Sequence, residues 1–248
     1  MFTVEERERI RERLIERGKA DPHIVAGAEV GSRALGPGDR WSDIDLTFGL
    51  APGVTVPEIL AAWTPAIERE FGAVTLFDLP HLSSVYRVFL FPGLLQVDLT
   101  FTPGHEFGAL GPKFKLLFGE AVARPQPTAP TAAYRFGLAV HHALRARFSI
   151  ERERFWQAEY WISSLRDEAL ALACMRHGLV AAYARGYDEL PPNVRNVLAG
   201  AIVRSLDRAE LMRALGVAVE GLLRESVEVG DLVERVSGEL AQLIKGGS

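Results

Sequence analysis

Two aspartates separated by one residue are the most chemically informative feature of the chain. Asp43 and Asp45 open an apolar, β-branched stretch. Because side chains alternate along a strand, both carboxylates project to one face, while Ile44 and Leu46 project to the other, into the core. Neighbouring unpaired carboxylates repel each other, and a divalent cation removes that conflict. Magnesium prefers hard oxygen ligands of this kind, so the pair predicts a magnesium site.

A Gly-Ser pair lies upstream of the aspartates, at the end of a predicted strand. Gly31 lets the backbone approach an anion closely, and Ser32 can offer an amide and a hydroxyl to a triphosphate at the start of a helical turn. The loop that follows would place the triphosphate beside the metal. Arg33 and Arg40 lie in this loop, where they either steady a leaving pyrophosphate or are simply solvated.

A third aspartate occurs in a later apolar stretch, Leu94 to Phe101. Asp98 is flanked by Val97 and Leu99, which face the other side of the predicted strand. A buried, unpaired aspartate would be costly there. If this strand lies beside the one that starts at Asp43, the three carboxylates form a cluster able to hold two metal ions, a pattern suited to phosphoryl or nucleotidyl transfer.

These motifs resemble those of the DNA polymerase beta-like nucleotidyltransferase superfamily, over about residues 24 to 101. The signature of that superfamily is Gly-Ser or Gly-Gly, a spacer, Asp-hydrophobic-Asp, and a third carboxylate on a later strand. The whole layout is most similar to the antibiotic nucleotidyltransferases that adenylylate aminoglycosides or lincosamides. The resemblance implies transfer of a nucleoside monophosphate, expected to be AMP from ATP, to a hydroxyl of a small-molecule acceptor, with release of pyrophosphate.

The resemblance also implies a role for each residue of the motif. Gly31 and Ser32 would hold the β and γ phosphates, and Asp43 and Asp45 would coordinate magnesium. Asp98 would bind a second magnesium ion or activate the acceptor hydroxyl. The implied cofactor is Mg²⁺, as two ions, and the co-substrate is ATP or another nucleoside triphosphate.

Short apolar runs in the first half predict the sheet that would position these residues. A charged helix over residues 3 to 19, packed on one side and solvated on the other, precedes them. A helix from Val56 to Phe71 lies between the second and third runs, which favours a mixed α/β sheet. The predicted strands are Ile24 to Val30, Ile44 to Leu50, Val74 to Leu79, Val85 to Phe91 and Leu94 to Phe101.

A proline-bearing stretch from Ala123 to Thr131 predicts a domain boundary, since Pro125, Pro127 and Pro130 resist regular structure. Beyond it, apolar residues recur at helical spacing. We therefore expect an α+β fold with a mixed-sheet nucleotidyltransferase domain over 1–124 and a helical, substrate-binding bundle over 125–248. Nucleotide and acceptor would meet in a cleft between the two.

The helical half offers candidates for binding the acceptor. Trp156 and Glu159 belong to a predicted helix from Phe155 to His177, and an aromatic face with a carboxylate would suit a polar, cationic acceptor. The alternative is an ordinary amphipathic helix with surface charges.

Composition narrows the classes of partner. The 248 residues carry a formal net charge of -4, which gives no general attraction to nucleic acid. The single Cys174 excludes an internal disulfide, and no apolar run approaches a membrane-spanning length, so we expect a soluble, cytoplasmic protein. Two other classes stay open: a nucleotidyltransferase acting on a protein or tRNA, and a non-catalytic binding protein on the same fold.

Overall fold

The computed structural model describes residues 1–36, 38–126 and 128–245 of the chain. The chain divides into two compact units, Met1–Thr128 and Ala129–Ser248. The first contains a mixed sheet and the second is helical, so the predicted α+β fold class is confirmed. Pro127 lies outside the described residues. The functional domains assigned to 1–124 and 125–248 stay a prediction.

The first unit is built on a six-stranded sheet within the described residues, in the order β3-β4-β5-β2-β1-β6. Strands β2 and β5, at its centre, run parallel, and the other neighbours are antiparallel. The elements are α1 (Val4–Ala20), β1 (Ile24–Val30), β2 (Ile44–Leu50), α2 (Val56–Phe71), β3 (Val74–His81), β4 (Ser84–Phe91), β5 (Leu95–Pro103) and β6 (Phe114–Phe118).

Local sequence sets the ends of the two helices of this unit. Thr3 and Glu6 form a capping box at the start of α1, and Thr55 and Glu58 form another at the start of α2. Each box satisfies backbone N–H groups that the first turn leaves without partners. Helix α2 ends at Gly72, whose left-handed backbone (φ 65°) terminates it.

One face of the sheet packs against α1 and α2 in an aromatic core. Phe48 of β2 and Phe101 of β5 have ring centroids 5.8 Å apart, and each lies 5.2 Å from the ring of Trp63 in α2. These rings are buried together with Leu14 and Ile67 of the two helices. The packing fixes the central strands that carry the predicted aspartates.

The five predicted strands and the helix Val56–Phe71 are present; β1 and β2 have the predicted ends, and the ends of β3, β4 and β5 differ by at most two residues. Strand β6 was not predicted. It is only five residues long and follows a Gly-Pro turn, so its periodicity is too short to stand out. It pairs with β1 and extends the sheet beside the Gly-Ser segment.

The second unit is a bundle of helices around a separate core. Leu211, Leu215, Ala218 and Leu222 are fully buried along one face of a helix, as their spacing predicts. Among the described residues, no helix is both long enough and apolar enough to span a membrane. Its helices are α3 (Ala132–Glu151), α4 (Phe155–Arg176), α5 (Pro192–Ala199), α6 (Arg208–Glu225) and α7 (Gly230–Leu243).

Candidate active site

The three predicted aspartates lie together on adjacent strands. Asp45 of β2 stands directly opposite Asp98 of β5 in the parallel register, and Asp43 immediately precedes β2. One carboxylate oxygen from each lies within 4.8 Å of the others, and all three side chains are half-buried. The predicted adjacency of the two strands is confirmed. The roles of the carboxylates stay predictions.

Strand alternation separates this cluster from the core. Ile44 and Leu46 of β2 and Leu99 of β5 are fully buried on the face covered by α1 and α2. The carboxylates of Asp45 and Asp98 project from the opposite face. The apolar side chains therefore anchor the strands while the acidic ones remain open to a ligand.

The environment of Asp98 disfavours its charged form. Burial raises the pKa of this carboxyl, and the nearby charge of Asp43 raises it further, while the side-chain amide of Gln96 opposes both effects. Gln96 Nε2 donates to both carboxylate oxygens of Asp98, at 3.0 and 3.2 Å. Gln96 was missed from the sequence, although it lies two residues before Asp98 and so shares its face of the strand.

The donor set fits magnesium. Three carboxylates supply hard oxygen ligands within reach of one another, as Mg²⁺ requires. Without a cation these carboxylates repel one another, and a divalent ion between them would remove that repulsion.

Gly31 makes close contact with the cluster. It has a left-handed backbone (φ 72°) and begins a short 3₁₀ turn, Gly31–Arg33. A Cβ atom at this position would lie 2.0 Å from Oδ2 of Asp45, so no other residue fits without displacing that carboxylate. Ser32 follows on the same turn and is exposed. The turn thus brings backbone next to Asp45, and the exposed Ser32 follows directly in the chain.

Arg7 of α1 holds the segment that leads into Asp43. Its side chain is only 2% exposed, and its Nη1 donates to the carbonyl oxygens of Asp39 (2.7 Å) and Ser42 (3.0 Å). The Asp39 carboxylate accepts from the Trp41 amide (2.8 Å) and from the Ser42 hydroxyl (3.2 Å). These bonds fix a compact turn directly before Asp43. The charge pattern of α1 predicted only a covering helix and gave no sign of this contact.

Arg33 is not solvated, contrary to one of the two interpretations of its place in the loop. Its side chain is buried, with Nη2 2.8 Å from Glu8 and Nε 3.3 Å from Glu29. Arg11 also binds Glu29 through two hydrogen bonds of 2.6 and 2.7 Å. Burial opposes the ionisation of Glu29, but these arginines outweigh it and lower its pKa. Arg33 belongs to this network, and its contact with pyrophosphate stays a prediction.

The remaining candidates stay predictions. Arg40 is exposed, with its guanidinium carbon 4.5 Å from the centroid of the Trp41 ring. Trp156 and Glu159 lie on α4 of the second unit, where Trp156 is 78% exposed and Glu159 accepts a 2.8 Å hydrogen bond from Ser163. An amphipathic surface helix explains this arrangement as well as an acceptor site does.

Comparison with known proteins finds similarity among solved structures. No protein-family model matches the chain, and no curated protein matches it. The chain is similar to the crystal structure of an aminoglycoside 6-adenyltransferase from Bacillus subtilis, at 13% identity and a TM-score of 0.42, covering 99% of this chain and 100% of that one. We base the function of this chain on its own residues.

Proposed function

We propose that this protein is a magnesium-dependent nucleotidyltransferase that moves a nucleoside monophosphate from a nucleoside triphosphate to a hydroxyl group of a small molecule. One observation carries the proposal: Asp43, Asp45 and Asp98 converge on adjacent strands, with Gly31 in contact with Asp45. An acidic cluster alone is common. A cluster beside a glycine-opened turn suits a metal-bound triphosphate.

Each residue of the site has a separate role in an in-line displacement at the α-phosphorus. The turn at Gly31 and Ser32 binds the β and γ phosphates through its amides and the Ser32 hydroxyl. Asp43 and Asp45 hold the metal, which when bound neutralises charge on the phosphate oxygens. Asp98 accepts the proton of the acceptor hydroxyl, whose oxygen bonds to the α-phosphorus as the bond to pyrophosphate breaks. The position of Asp98 opposite Asp45, on the same side of the sheet, supports this role.

ATP is the proposed co-substrate, and an aminoglycoside or lincosamide is the first class of acceptor to try. Arg40 is proposed to contact the leaving pyrophosphate, and Glu159 and Trp156 to contact the acceptor. We also propose that the protein works in the cytoplasm, where nucleoside triphosphates are available.

A pyrophosphate-release assay tests the proposal. The wild-type protein is incubated with magnesium and each of the four ribonucleoside triphosphates, against a panel of aminoglycosides and lincosamides. We expect release that requires one acceptor class and is lost in Asp43→Asn. Asp188→Asn is the matched control, because Asp188 is exposed and far along the chain in the second unit.

The two negative outcomes differ in meaning. Triphosphate binding that needs magnesium, measured by calorimetry, without release for any drug would replace the small-molecule acceptor by a protein or tRNA. Absence of magnesium-dependent triphosphate binding would refute the enzyme proposal and leave a binding protein on this fold.

A further inference from the structure

A cavity of about 140 Å³ lies in the first unit, on the same sheet face as the aspartates. Thr47 follows Asp45 by two residues on β2, and Thr100 follows Asp98 by two residues on β5, so each threonine shares the face of its aspartate. With a rise of about 3.3 Å per residue, the cavity begins roughly 7 Å along the strands from the carboxylates. A ligand at the cluster can therefore extend into it.

Hydroxyl groups that lack partners line this cavity. Thr47 and Thr100 are more than nine-tenths buried, and among the described residues neither hydroxyl has a hydrogen-bond partner. Neither is sealed from solvent, so both remain reachable from the cavity. Ser84 and Thr102, also lining it, are bonded to each other at 2.8 Å. Because these two hydroxyls face the cavity and have no partner among the described residues, both can form hydrogen bonds with the polar groups of a ligand.

The charged side chains that line the cavity further restrict which ligands can bind there. Lys113 and Arg124 line the cavity, and no carboxylate does among the described lining residues. Arg124 binds the backbone carbonyl of Glu106 and lies 3.9 Å from its carboxylate. Lys113 has no ion pair among the residues that the structure describes. The positive charge of Lys113 therefore disfavours an ammonium group in this cavity once a cation neutralises the aspartates.

The volume limits what can enter. Pockets that enclose a drug-sized molecule measure about 300 to 1,000 Å³. A cavity of about 140 Å³ holds a single ring and not a whole oligosaccharide.

We propose that this cavity binds one hydroxylated ring of the substrate that is uncharged or anionic, and that Lys113 excludes aminated rings. The ring is either the ribose of the nucleotide or the ring that carries the acceptor hydroxyl. That choice rests on the proposed function, whereas binding of the ring itself rests on the cavity. If the ring belongs to the acceptor, the group next to the reacting hydroxyl is not an aminosugar.

Matched ring probes test the selection. Saturation-transfer NMR is recorded on the wild-type protein in saturating magnesium, which neutralises the aspartates, with myo-inositol, inositol 1-phosphate and 2-deoxystreptamine. We expect transfer to the two inositol probes and none to 2-deoxystreptamine, a cyclitol of similar size with two ammonium groups. Thr100→Val and Lys113→Met should weaken inositol 1-phosphate binding by about tenfold, as for loss of one hydrogen bond to a charged group.

Lys115→Met is the control variant. Lys115 lies two residues beyond Lys113, pairs across from Glu29 on β1, and does not line the cavity. It should bind all three probes as the wild type does. Thermal unfolding of each variant separates misfolding from lost binding, and Lys113→Met, at an exposed position, serves if Thr100→Val is unstable.

Affinity for the magnesium complexes of the four triphosphates, measured by calorimetry, separates the two sources of the ring. A loss of about tenfold in Lys113→Met, with displacement of inositol 1-phosphate by the triphosphate, assigns the cavity to ribose. Unchanged affinity and no displacement assign it to the acceptor. Failure of both inositol probes to bind, or preferred binding of 2-deoxystreptamine, overturns the inference. Wild-type triphosphate binding is read independently, so the proposed function can survive that result.

Discussion

The two faces of β2 and β5 show how the same strands serve stability and chemistry. One face carries Leu46, Phe48 and Phe101, all buried under α1 and α2. The other carries Asp45 and Asp98, both half-buried and close enough to share a cation. Adjacent residues of one strand thus lie in two different environments, a buried apolar core and a half-buried cluster of carboxylates.

This contrast indicates that the carboxylate cluster and the apolar core contribute to different properties of the protein. An acidic residue contributes repulsion to the metal-free fold, whereas its apolar neighbour contributes burial. Substitutions on the two faces should therefore affect different measurements.

The face of β2 and β5 that carries Asp45 and Asp98 is here called the acidic face. Among substitutions on it, Asp45→Asn should cause the largest loss of turnover. Removing a metal ligand costs several kcal/mol of transition-state stabilisation, so kcat/KM should fall about a thousandfold or more. Thermal unfolding without metal should be unchanged or shifted upward, because one of three like charges is removed. A variant that unfolds readily without metal would show that the two faces are not separable.

Leu46→Ala tests the other face at the next residue. Leu46 is fully buried, and such truncations cost about 2 to 5 kcal/mol. The free energy of unfolding from urea titration should drop by this amount, while metal affinity of the folded fraction should be retained. Equal loss of metal affinity at temperatures where the variant is folded would contradict the contrast.

Gly31→Ala should damage the acidic face through geometry. A left-handed conformation costs a non-glycine residue roughly 1 to 2 kcal/mol, and the new Cβ would collide with the Asp45 carboxylate. We expect weaker Mn²⁺ binding by paramagnetic relaxation together with lower turnover. Gly36→Ala is the control in the same loop, since a Cβ added there would have no neighbouring atom within 4 Å. Similar losses in both variants would discount the contact with Asp45.

Arg7→Met tests whether α1 supports the carboxylate cluster through the turn before Asp43. It leaves the carbonyls of Asp39 and Ser42 without this donor, at a cost of about 1 to 3 kcal/mol, and loosens the turn before Asp43. Mn²⁺ affinity should fall, and Arg7→Lys should restore part of it. Arg11→Met, which removes a partner of Glu29 on the same helix, should lower stability and leave Mn²⁺ affinity unchanged. If Arg11→Met weakens Mn²⁺ binding as much, the effect belongs to α1 as a whole.

The pH dependence of metal-free stability should give the smallest effect. The pKa of Asp98 is raised in the folded state, so the folded protein holds this proton more tightly than the unfolded chain does. Stability should therefore fall as pH rises from the usual aspartate range through the raised pKa. Magnesium, or Asp98→Asn, should remove this slope in calorimetric unfolding scans. A slope unaltered by either change would exclude Asp98 as its source.

Much of the first unit was predictable because its signals are local. Period-two alternation around Asp45 and Asp98 predicted both faces of the central strands, and the spacing of Gly31 from Asp43 predicted the turn beside them. The helix Val56–Phe71 was found from its pattern. In each case, the residues within the element itself are sufficient to predict its conformation.

The remaining features depend on contacts between distant parts of the chain. Arg7 lies 32 residues from Asp39, and no local pattern shows that the Arg7 side chain donates to the Asp39 carbonyl oxygen. Arg33 was expected either to contact pyrophosphate or to be solvated, and neither interpretation included the packing of its side chain against Glu8 and Glu29.

By itself, the sequence determined which strands form and which of their side chains share a face, because backbone geometry fixes the alternation. Only the tertiary structure decided that Asp98 stands opposite Asp45, that Arg7 holds the turn before Asp43, and that a cavity follows the carboxylates. Strand order and side-chain pairing minimise the energy of the whole unit, and no short segment of the chain contains that information.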